Sequence, residues 1–329
     1  MPCAHRGDAL RVVAVDWSGA RAGAERRIWL AEVIDGALVR LECGRGREAM
    51  AAHLGELASD AQPMVVGLDF AFSMPAWYLR TLGVRDAQDL WARAAADGER
   101  WLADCEPPFW GRPGKPRPKQ DSAFRATESA CPAVAGIRPK SIFQVGGAGA
   151  VGTGSLRGMP LLLALHRAGL TIWPFDAPSA HTVVEIYPRV FSGPVAKRRP
   201  DARLAHLRAH FGRLPPLMLA RAASSEDAFD AAVSALHMWE HRTALARLRR
   251  ARDVLTLLEG AIWRPGPAPR IPGEPAWSRA WTAQCCEWRA CSCARGCRAA
   301  ARRTAAKMDA LTVGHGRVEA RTRCGRRVV

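Results

Sequence analysis

Hydrophobic residues in the first part of the chain form short runs that are typical of buried strands. Residues 11–20, RVVAVDWSGA, begin with an apolar, β-branched run that breaks at Gly19, which predicts a strand ending in a turn. Residues 26–35 and 37–44 form two further strand-like segments around Gly36, and this spacing predicts a hairpin. The chain is therefore expected to open with three consecutive strands.

A helix and a fourth strand follow the hairpin. Met50, Leu54 and Leu57 have helical spacing within residues 47–60, and residues 63–75, PMVVGLDFAFSMP, form another apolar run. Three strands, a helix and a fourth strand in this order are typical of an α/β domain.

A large insertion, at about residues 74–170, separates the fourth strand from the fifth. It contains a predicted helix at 86–105 and a loop at 106–120 that Pro and Gly keep out of regular structure. A glycine-rich loop at 143–158 then leads into a predicted helix at 159–170.

The last strand and the end of the domain follow this insertion. Residues 182–188, TVVEIYP, predict the fifth strand, which a basic linker connects to helices beginning near Ser224. We expect one α/β domain over residues 1–263, with a mixed five-stranded sheet flanked by helices. Residues 264–329 are rich in Arg, Ala and Cys without a sustained apolar period, which predicts a disordered, basic C-terminal tail.

Cysteine and charge are concentrated in that tail. Six of the ten cysteines lie between Cys285 and Cys324, but they lack the paired spacing of a structural zinc site. This favours an unstructured or even out-of-frame extension as the interpretation of the tail, and a small metal-binding knuckle is the alternative. Of the formal net charge of +17, residues from Arg264 onward carry +10 and the preceding residues +7. A basic chain attracts phosphate, which favours nucleic acid as a partner.

The apolar stretches are too short for targeting or membrane insertion. Met1 to Val12 contain no run of secretory length, and no later window approaches about 18 apolar residues. We expect a soluble, cytoplasmic protein without a membrane partner.

Carboxylates lie where a metal site in such a sheet needs them. Asp16 ends the first strand, Asp69 ends the fourth and Glu185 lies in the fifth, while Asp227 and Asp230 open the late helix. Neighbouring strands are about 5 Å apart, and helix residues three apart share a face, so we expect these acids to converge. Oxygen-only ligands suit Mg²⁺ or Mn²⁺, and two such ions about 4 Å apart promote phosphodiester hydrolysis.

Structural roles are the alternatives for these acids. The two aspartates at strand ends also suit turn initiation. Asp227 also suits the N3 position of a capping box with Ser224 as the N-cap, and Glu185 also suits an ion pair with Arg189.

Candidate phosphate contacts surround the glycine-rich loop. The loop is not a P-loop, because GAGAVGTGS lacks the Lys that should precede the Ser. Glycines before a helix still expose backbone N–H groups to a phosphate, and a purely conformational turn is the alternative. The predicted substrate-binding residues are Ser18, Arg125, Lys140, Gly152, Ser155 and Arg157.

These motifs resemble the family called domain of unknown function 429, whose members are regarded as predicted nucleases of RNase H-like fold. The resemblance covers most of residues 11–260 and leaves the tail outside. It implies an RNase H-like fold and gives no defined role to Glu128. The matching segments are VVAVDWSGA, VVGLDFAFSMP, RATE at 125–128, IFQVGGAGAVGTGSLRGMP, VVEIYPRVF and SEDAFDAAVSALHMW.

At superfamily level the arrangement is similar to RuvC-type Holliday-junction resolvases. In those enzymes an acid on the first strand, an acid on the fourth and an Asp pair on a late helix bind metal. The resemblance gives these ligand roles to Asp16, Asp69, Asp227 and Asp230. It favours a metal-dependent nuclease for DNA or RNA, with Asp16, Asp69, Asp230 and Glu185 as catalytic residues and Glu185 orienting water.

Two other functions remain open. One is a nucleotide-dependent phosphotransferase of the actin and sugar-kinase type, in which DWSG and GTGS would be phosphate loops. The other is a non-catalytic nucleic-acid-binding module that keeps the fold and the basic surface.

Overall fold

The computed structural model describes residues 10–119 and 123–266. The expectations for the cysteine-rich tail, from residue 267 onward, lie outside the described residues. No helix among the described residues is both long and apolar enough to cross a membrane.

A six-stranded mixed sheet forms the centre of the structure. Its strands are β1 (Arg11–Asp16), β2 (Trp29–Ile34), β3 (Ala37–Glu42), β4 (Met64–Leu68), β5 (Thr171–Ile172) and β6 (His181–Glu185). They lie in the order β3-β2-β1-β4-β6-β5. Strand β2 pairs antiparallel with both β3 and β1, whereas β1, β4, β6 and β5 pair in parallel. The predicted α/β class is confirmed, but the predicted count of five strands is wrong, because two-residue β5 is too short to leave a sequence pattern.

The three central strands end at the same edge of the sheet. Val15 of β1 pairs with Leu68 of β4, and Leu68 pairs with Glu185 of β6. The backbone N–H of Asp69 continues this ladder by donating to the carbonyl of Val15 at 3.1 Å. The parallel pairing therefore brings the ends of three distant sequence segments side by side.

Eleven helices and one short 3₁₀ turn, at Ala24–Arg26, occupy about half of the remaining described residues. The helices are α1 (Arg47–Leu57), α2 (Ala76–Thr81), α3 (Ala87–Asp104), α4 (Ala126–Ala130), α5 (Val151–Arg167), α6 (Pro188–Ser192), α7 (Pro200–Phe211), α8 (Pro216–Ala223), α9 (Glu226–Glu240), α10 (Arg242–Leu245) and α11 (Val254–Glu259).

The helices cover both faces of the sheet. Val13 and Val15 pack into a core with α1, α3 and α5, whereas Val12 and Ala14 pack into a second core with α7 and α9. Because both faces of β1 are buried, its sequence is continuously apolar instead of alternating.

Helix α5 begins earlier than the sequence predicts. It starts at Val151, so the second half of the predicted glycine-rich loop is helical. A Cβ at Gly158 would lie 2.7 Å from the ring of Phe70, and one at Gly152 would lie 2.0 Å from the carbonyl oxygen of Ile142. These glycines permit close packing of α5, and that packing outweighs their low helix propensity.

The segment between β6 and Ser224 also differs from the prediction. It was expected to be a basic linker, but it contains α6, α7 and α8. All three helices have a proline in their first turn, where the missing N–H costs no hydrogen bond. Helices α7 and α9 share a core.

Candidate active site

Three strands and one helix bring the predicted acids to one edge of the sheet. Asp16 is the last residue of β1, Asp69 follows β4 directly, and Glu185 is the last residue of β6. Helix α9 packs across β1 and β2 and brings Asp227 and Asp230 to the same region. The predicted convergence therefore follows from the parallel pairing and from the position of one helix.

The start of α9 corrects the predicted capping box. The N-cap is Ser225 and not Ser224, because the Ser225 hydroxyl accepts a hydrogen bond from the N–H of Ala228 at 3.0 Å. Ser224 instead donates to the carbonyl of Arg221 at 2.6 Å. Asp227 is thus the second helical residue and not the N3 acid of a capping box.

The aspartates interact strongly with one another. Burial raises the pKa of Asp16 well above its ordinary value, and the charges of Asp230, Asp69 and Asp227 raise it further. Burial and then Asp230 raise the pKa of Asp69 to about 8, while Lys197 opposes them. Burial also raises the pKa values of Asp227 and Asp230. Like charges at short range in a buried site produce this effect, so the four carboxylates form one electrostatic cluster, called the aspartate cluster below.

Asp230 divides its two oxygens between different environments. Its Oδ2 accepts a hydrogen bond from the ammonium of Lys197, a residue that the sequence analysis did not single out. Its Oδ1 is buried and has no hydrogen-bond partner among the residues that the structure describes. The whole residue is only 8% exposed. A buried carboxylate oxygen without a donor is costly, so Oδ1 is suited to a cationic ligand.

The aspartate cluster does not have the arrangement of a closed metal site. Within residues 10–119 and 123–266, no three His, Cys, Asp or Glu side chains are grouped so that they could hold a metal ion. The type of ligand nevertheless fits hard divalent cations, since every donor in the cluster is a carboxylate oxygen.

Glu185 belongs to a separate ionic network. Arg125 donates to both of its carboxylate oxygens, at 2.9 and 2.5 Å, and the N–H of Phe72 donates to Oε2 at 2.9 Å. The alternative pairing with Arg189 is therefore wrong. Arg125 also donates to Glu128 at 3.0 Å, and it is only 1% exposed.

A third carboxylate, which the sequence analysis missed, completes this network. Glu259 of α11 accepts hydrogen bonds from the N–H groups of Ala76 at 2.7 Å and Ala126 at 2.6 Å, and its carbonyl accepts one from Arg125. The network therefore joins α2, α4, β6 and α11. Arg125, predicted to bind substrate, has its guanidinium held by these internal acceptors.

Two neighbouring clefts open beside the aspartate cluster, with volumes of about 270 and 320 Å³. Both are lined by Trp17, Gly19 and Ala150. The charged residues along the first are Asp69, Arg125, Glu128, Lys140 and Glu185, and those along the second are Asp16, Arg27 and Asp227, beside Ser18. Lys140 is exposed and faces the first cleft, as a phosphate contact requires.

Three of the predicted substrate contacts have internal partners. The N–H of Gly152 donates to the carbonyl of Gln144 at 2.9 Å. Ser155 is fully buried, and its hydroxyl accepts from the N–H of Ala71 at 3.0 Å. The guanidinium of Arg157 pairs with Glu99 at 2.6 Å. These residues hold α5 in place instead of pointing into the clefts.

The turn after β1 is pressed against α5. A Cβ at Gly19 would lie 2.5 Å from the backbone nitrogen of Gly154, and the indole of Trp17 donates to the carbonyl of Gly154 at 3.1 Å. The hydroxyl of Ser18 accepts from the N–H of Ala20 at 3.2 Å. Ser18 therefore stabilises this turn, although it also lines the second cleft.

Comparison with known proteins adds no relative. The chain matches no family model, no curated protein and no solved structure. The resemblance to the domain of unknown function 429 family stays a prediction from the motifs.

Proposed function

We propose that this protein is a metal-dependent nuclease that hydrolyses phosphodiester bonds in DNA or RNA. The observation that carries the proposal is the aspartate cluster itself. Burial raises the pKa of all four carboxylates, and neighbouring aspartates raise the pKa of Asp16, Asp69 and Asp230 further. One buried oxygen of Asp230 lacks a donor among the described residues. Such a cluster destabilises the folded chain unless a proton or a bound cation relieves the repulsion, and strongly perturbed carboxylates of this kind are found at functional sites.

Mg²⁺ or Mn²⁺ suits this set of ligands. Asp16, Asp69 and Asp230 are the proposed ligands, with Asp227 at the edge of the second cleft, and their carboxylates would have to lie closer together than in the described residues to hold one ion. When bound, the ion would stabilise negative charge on the phosphate as the bond to the leaving oxygen breaks.

Residues around the clefts would position the nucleic acid. Lys140 faces the first cleft with an exposed ammonium and would contact a backbone phosphate. We assign Glu185 a positioning role in place of the predicted orientation of water, because both of its oxygens are bound by Arg125. Through the N–H of Phe72, Glu185 holds the backbone that follows Asp69.

The sheet supports an RNase H-like interpretation. An antiparallel hairpin lies beside parallel central strands, the acids lie at the ends of β1 and β4, and the aspartate pair lies on the late helix α9. This agrees with the ligand positions expected from the RuvC-type resemblance.

The phosphotransferase alternative has less support. The residues GTGS, expected to form a second phosphate loop, lie inside α5, and the N–H of Gly152 is already bonded. The described residues contain one sheet, whereas such enzymes use two domains of this kind.

Cleavage assays with the full chain test the proposal. Labelled single-stranded, duplex and junction substrates of DNA and RNA are incubated with Mg²⁺, Mn²⁺ or EDTA. We expect cleavage only with a divalent ion, and a loss of at least about 100-fold in Asp16→Asn, as for removal of a major charge-stabilising group. Asp97→Asn is the matched control, because Asp97 pairs with Arg100 on the surface of α3.

Two results would contradict the proposal. Asp16→Asn with full activity would remove the aspartate cluster from the reaction. Tight, salt-sensitive binding without metal-dependent turnover would instead identify a nucleic-acid-binding module.

A further inference from the structure

An arginine and an exposed aromatic ring lie together on the insertion, outside the aspartate cluster. The guanidinium carbon of Arg117 lies 5.3 Å from the centre of the Trp110 ring and 5.5 Å from the centre of the Phe124 ring. Trp110 is buried, whereas Arg117 is exposed and Phe124 keeps 36% of its surface exposed. Attraction between the guanidinium and the two rings stabilises this group, and part of the Phe124 ring stays open to solvent.

The backbone around Phe124 is fixed on both sides. The hydroxyl of Ser141 donates to the carbonyl of Ala123 at 2.5 Å, and the guanidinium of Arg125 is held in the buried ionic network. Ala123 and Arg125 are both almost fully buried. The ring of Phe124 is therefore presented by a rigid part of the chain, and a rigid contact binds a partner at a lower cost in conformational entropy than a mobile one.

The chain connects this ring to the first cleft by two short routes. The N–H of Val145 donates to the carbonyl of Trp110 at 2.9 Å, and residues 149–151, a few positions further on, line the first cleft. Lys140 lines the same cleft, and it directly precedes Ser141, which holds the backbone before the exposed ring. A ligand that lies across the ring can therefore continue to the ammonium of Lys140 and into the cleft.

The exposed charges on this part of the chain are mostly basic. Between the end of α3 and the start of α5 the sequence contains seven basic residues and three acids. Glu106 is paired with Lys115, and Glu128 is buried against Arg125. The third acid, Asp121, lies outside the described residues. A partner with a negatively charged backbone fits this surface. The exposed basic residues are Arg112, Arg117, Lys119, Arg138 and Lys140.

We propose that Trp110, Arg117, Phe124 and Lys140 form a binding surface for single-stranded nucleic acid, called the strand-binding surface below. A base stacks on the exposed ring of Phe124, and the backbone phosphates pass Arg117 and Lys140 toward the first cleft. Bases of a single strand have free faces, whereas bases of a duplex are stacked inside it, so an exposed ring favours the single strand. The inference rests on the proposed function, since it names the form of nucleic acid that reaches the aspartate cluster.

Equilibrium binding to the full chain, measured by fluorescence anisotropy in EDTA, tests this surface without an activity measurement. The probes are labelled DNA and RNA strands of about 20 nucleotides, longer than one site of this kind requires, and the duplexes of the same sequence. Phe124→Leu keeps an apolar side chain without the aromatic face, and it should bind the strands about ten-fold more weakly, as for the loss of one stacked base. Its affinity for the duplexes should be unchanged, and Phe124→Trp should bind the strands as tightly as the wild type.

The charged part of the surface has its own measurement and controls. Lys140→Gln should lower the slope of log affinity against log salt by roughly 0.7, as for one phosphate contact on a single strand. Leu217→Ala removes a side chain of α8 that is 77% exposed, and Arg85→Gln removes an exposed arginine paired with Asp89. Both controls should bind as the wild type does. The basic tail is common to all the variants, so differences between them report the strand-binding surface.

The outcomes separate this inference from the proposed function. Unchanged strand binding by a folded Phe124→Leu would overturn the strand-binding surface, and so would equal losses for strand and duplex. Absence of any strand binding by the wild type would overturn it too, and this result needs no variant to fold. Metal-dependent cleavage that is lost in Asp16→Asn would leave the nuclease intact in each of these cases. The expected binding without any cleavage would instead keep the surface and overturn the nuclease. Thermal unfolding of each variant shows that it is folded.

Discussion

Replacing Asp69 by Asn should stabilise the metal-free protein, and the gain should depend on pH. Burial and the charge of Asp230 raise the pKa of Asp69 from 3.8 to about 8 in the folded chain. Between these values the unfolded chain is ionised and the folded chain takes up a proton, so stability falls as pH rises from about 4 to about 8. Asn has nearly the same shape as Asp and cannot ionise, so the variant does not lose stability in this way as the pH rises.

The size of the gain follows from that shift. Four pH units at about 1.4 kcal/mol each set an upper limit of about 6 kcal/mol. Asp69 is partly exposed and shares its ionisation with Asp16 and Asp230, which reduces the gain. We expect about 2 kcal/mol at pH 8 and above, or roughly 4–8 °C in Tm for a domain of this size, and no gain below pH 4.

Thermal unfolding in EDTA, followed by circular dichroism from pH 4 to pH 9, measures this difference. Asp97→Asn is the control, and its surface ion pair with Arg100 should change stability by less than about 0.5 kcal/mol at any pH. Mg²⁺ at saturation should raise the Tm of the wild type more than that of Asp69→Asn. An Asp69→Asn chain that is less stable than the wild type at pH 8 would refute the reasoning, because Asp69 would then be stabilised in its ionised form.

Three further substitutions test the packing around the site. Arg125→Met leaves two buried carboxylates without their partner and should cost about 3–5 kcal/mol in urea unfolding; an unchanged midpoint would exclude a buried ion network. Gly158→Ala places a methyl group 2.7 Å from the ring of Phe70 and should lower the free energy of unfolding by about 1–3 kcal/mol, although Ala has the higher helix propensity. Ser225→Ala removes the N-cap of α9 and should cost about 1 kcal/mol, whereas Ser224→Ala should cost little; the reverse order would restore the predicted cap.

Much of the sheet could be predicted because burial leaves a direct pattern in the sequence. The central residues of β1, β4 and β6 are enclosed by helices on both faces, so the middle of each strand is a continuous apolar run. The short β5 has no such run, and α5 begins at Val151 only because its glycines meet other chain segments at close range. Local propensity favours a loop at those glycines, and tertiary contacts decide otherwise.

The aspartate positions could also be predicted from the sequence, since Asp16 ends β1 and Asp69 directly follows β4, two strands that pair in parallel. The cationic partners of these acids could not be predicted from the sequence. Arg125 and Glu185 are 60 residues apart, and Lys197 and Asp230 are 33 apart. No spacing rule joins residues at such separations, because only the packing of whole helices brings them together.

Local patterns of apolar residues are thus enough to predict the α/β order of elements and the edge of the sheet at which the acids lie. Only the folded structure shows which carboxylates have a cationic side chain beside them. Arg125 neutralises Glu185, whereas Lys197 reaches only one oxygen of Asp230. Electrostatic interactions depend on distance and burial, and neither quantity is contained in the order of residues.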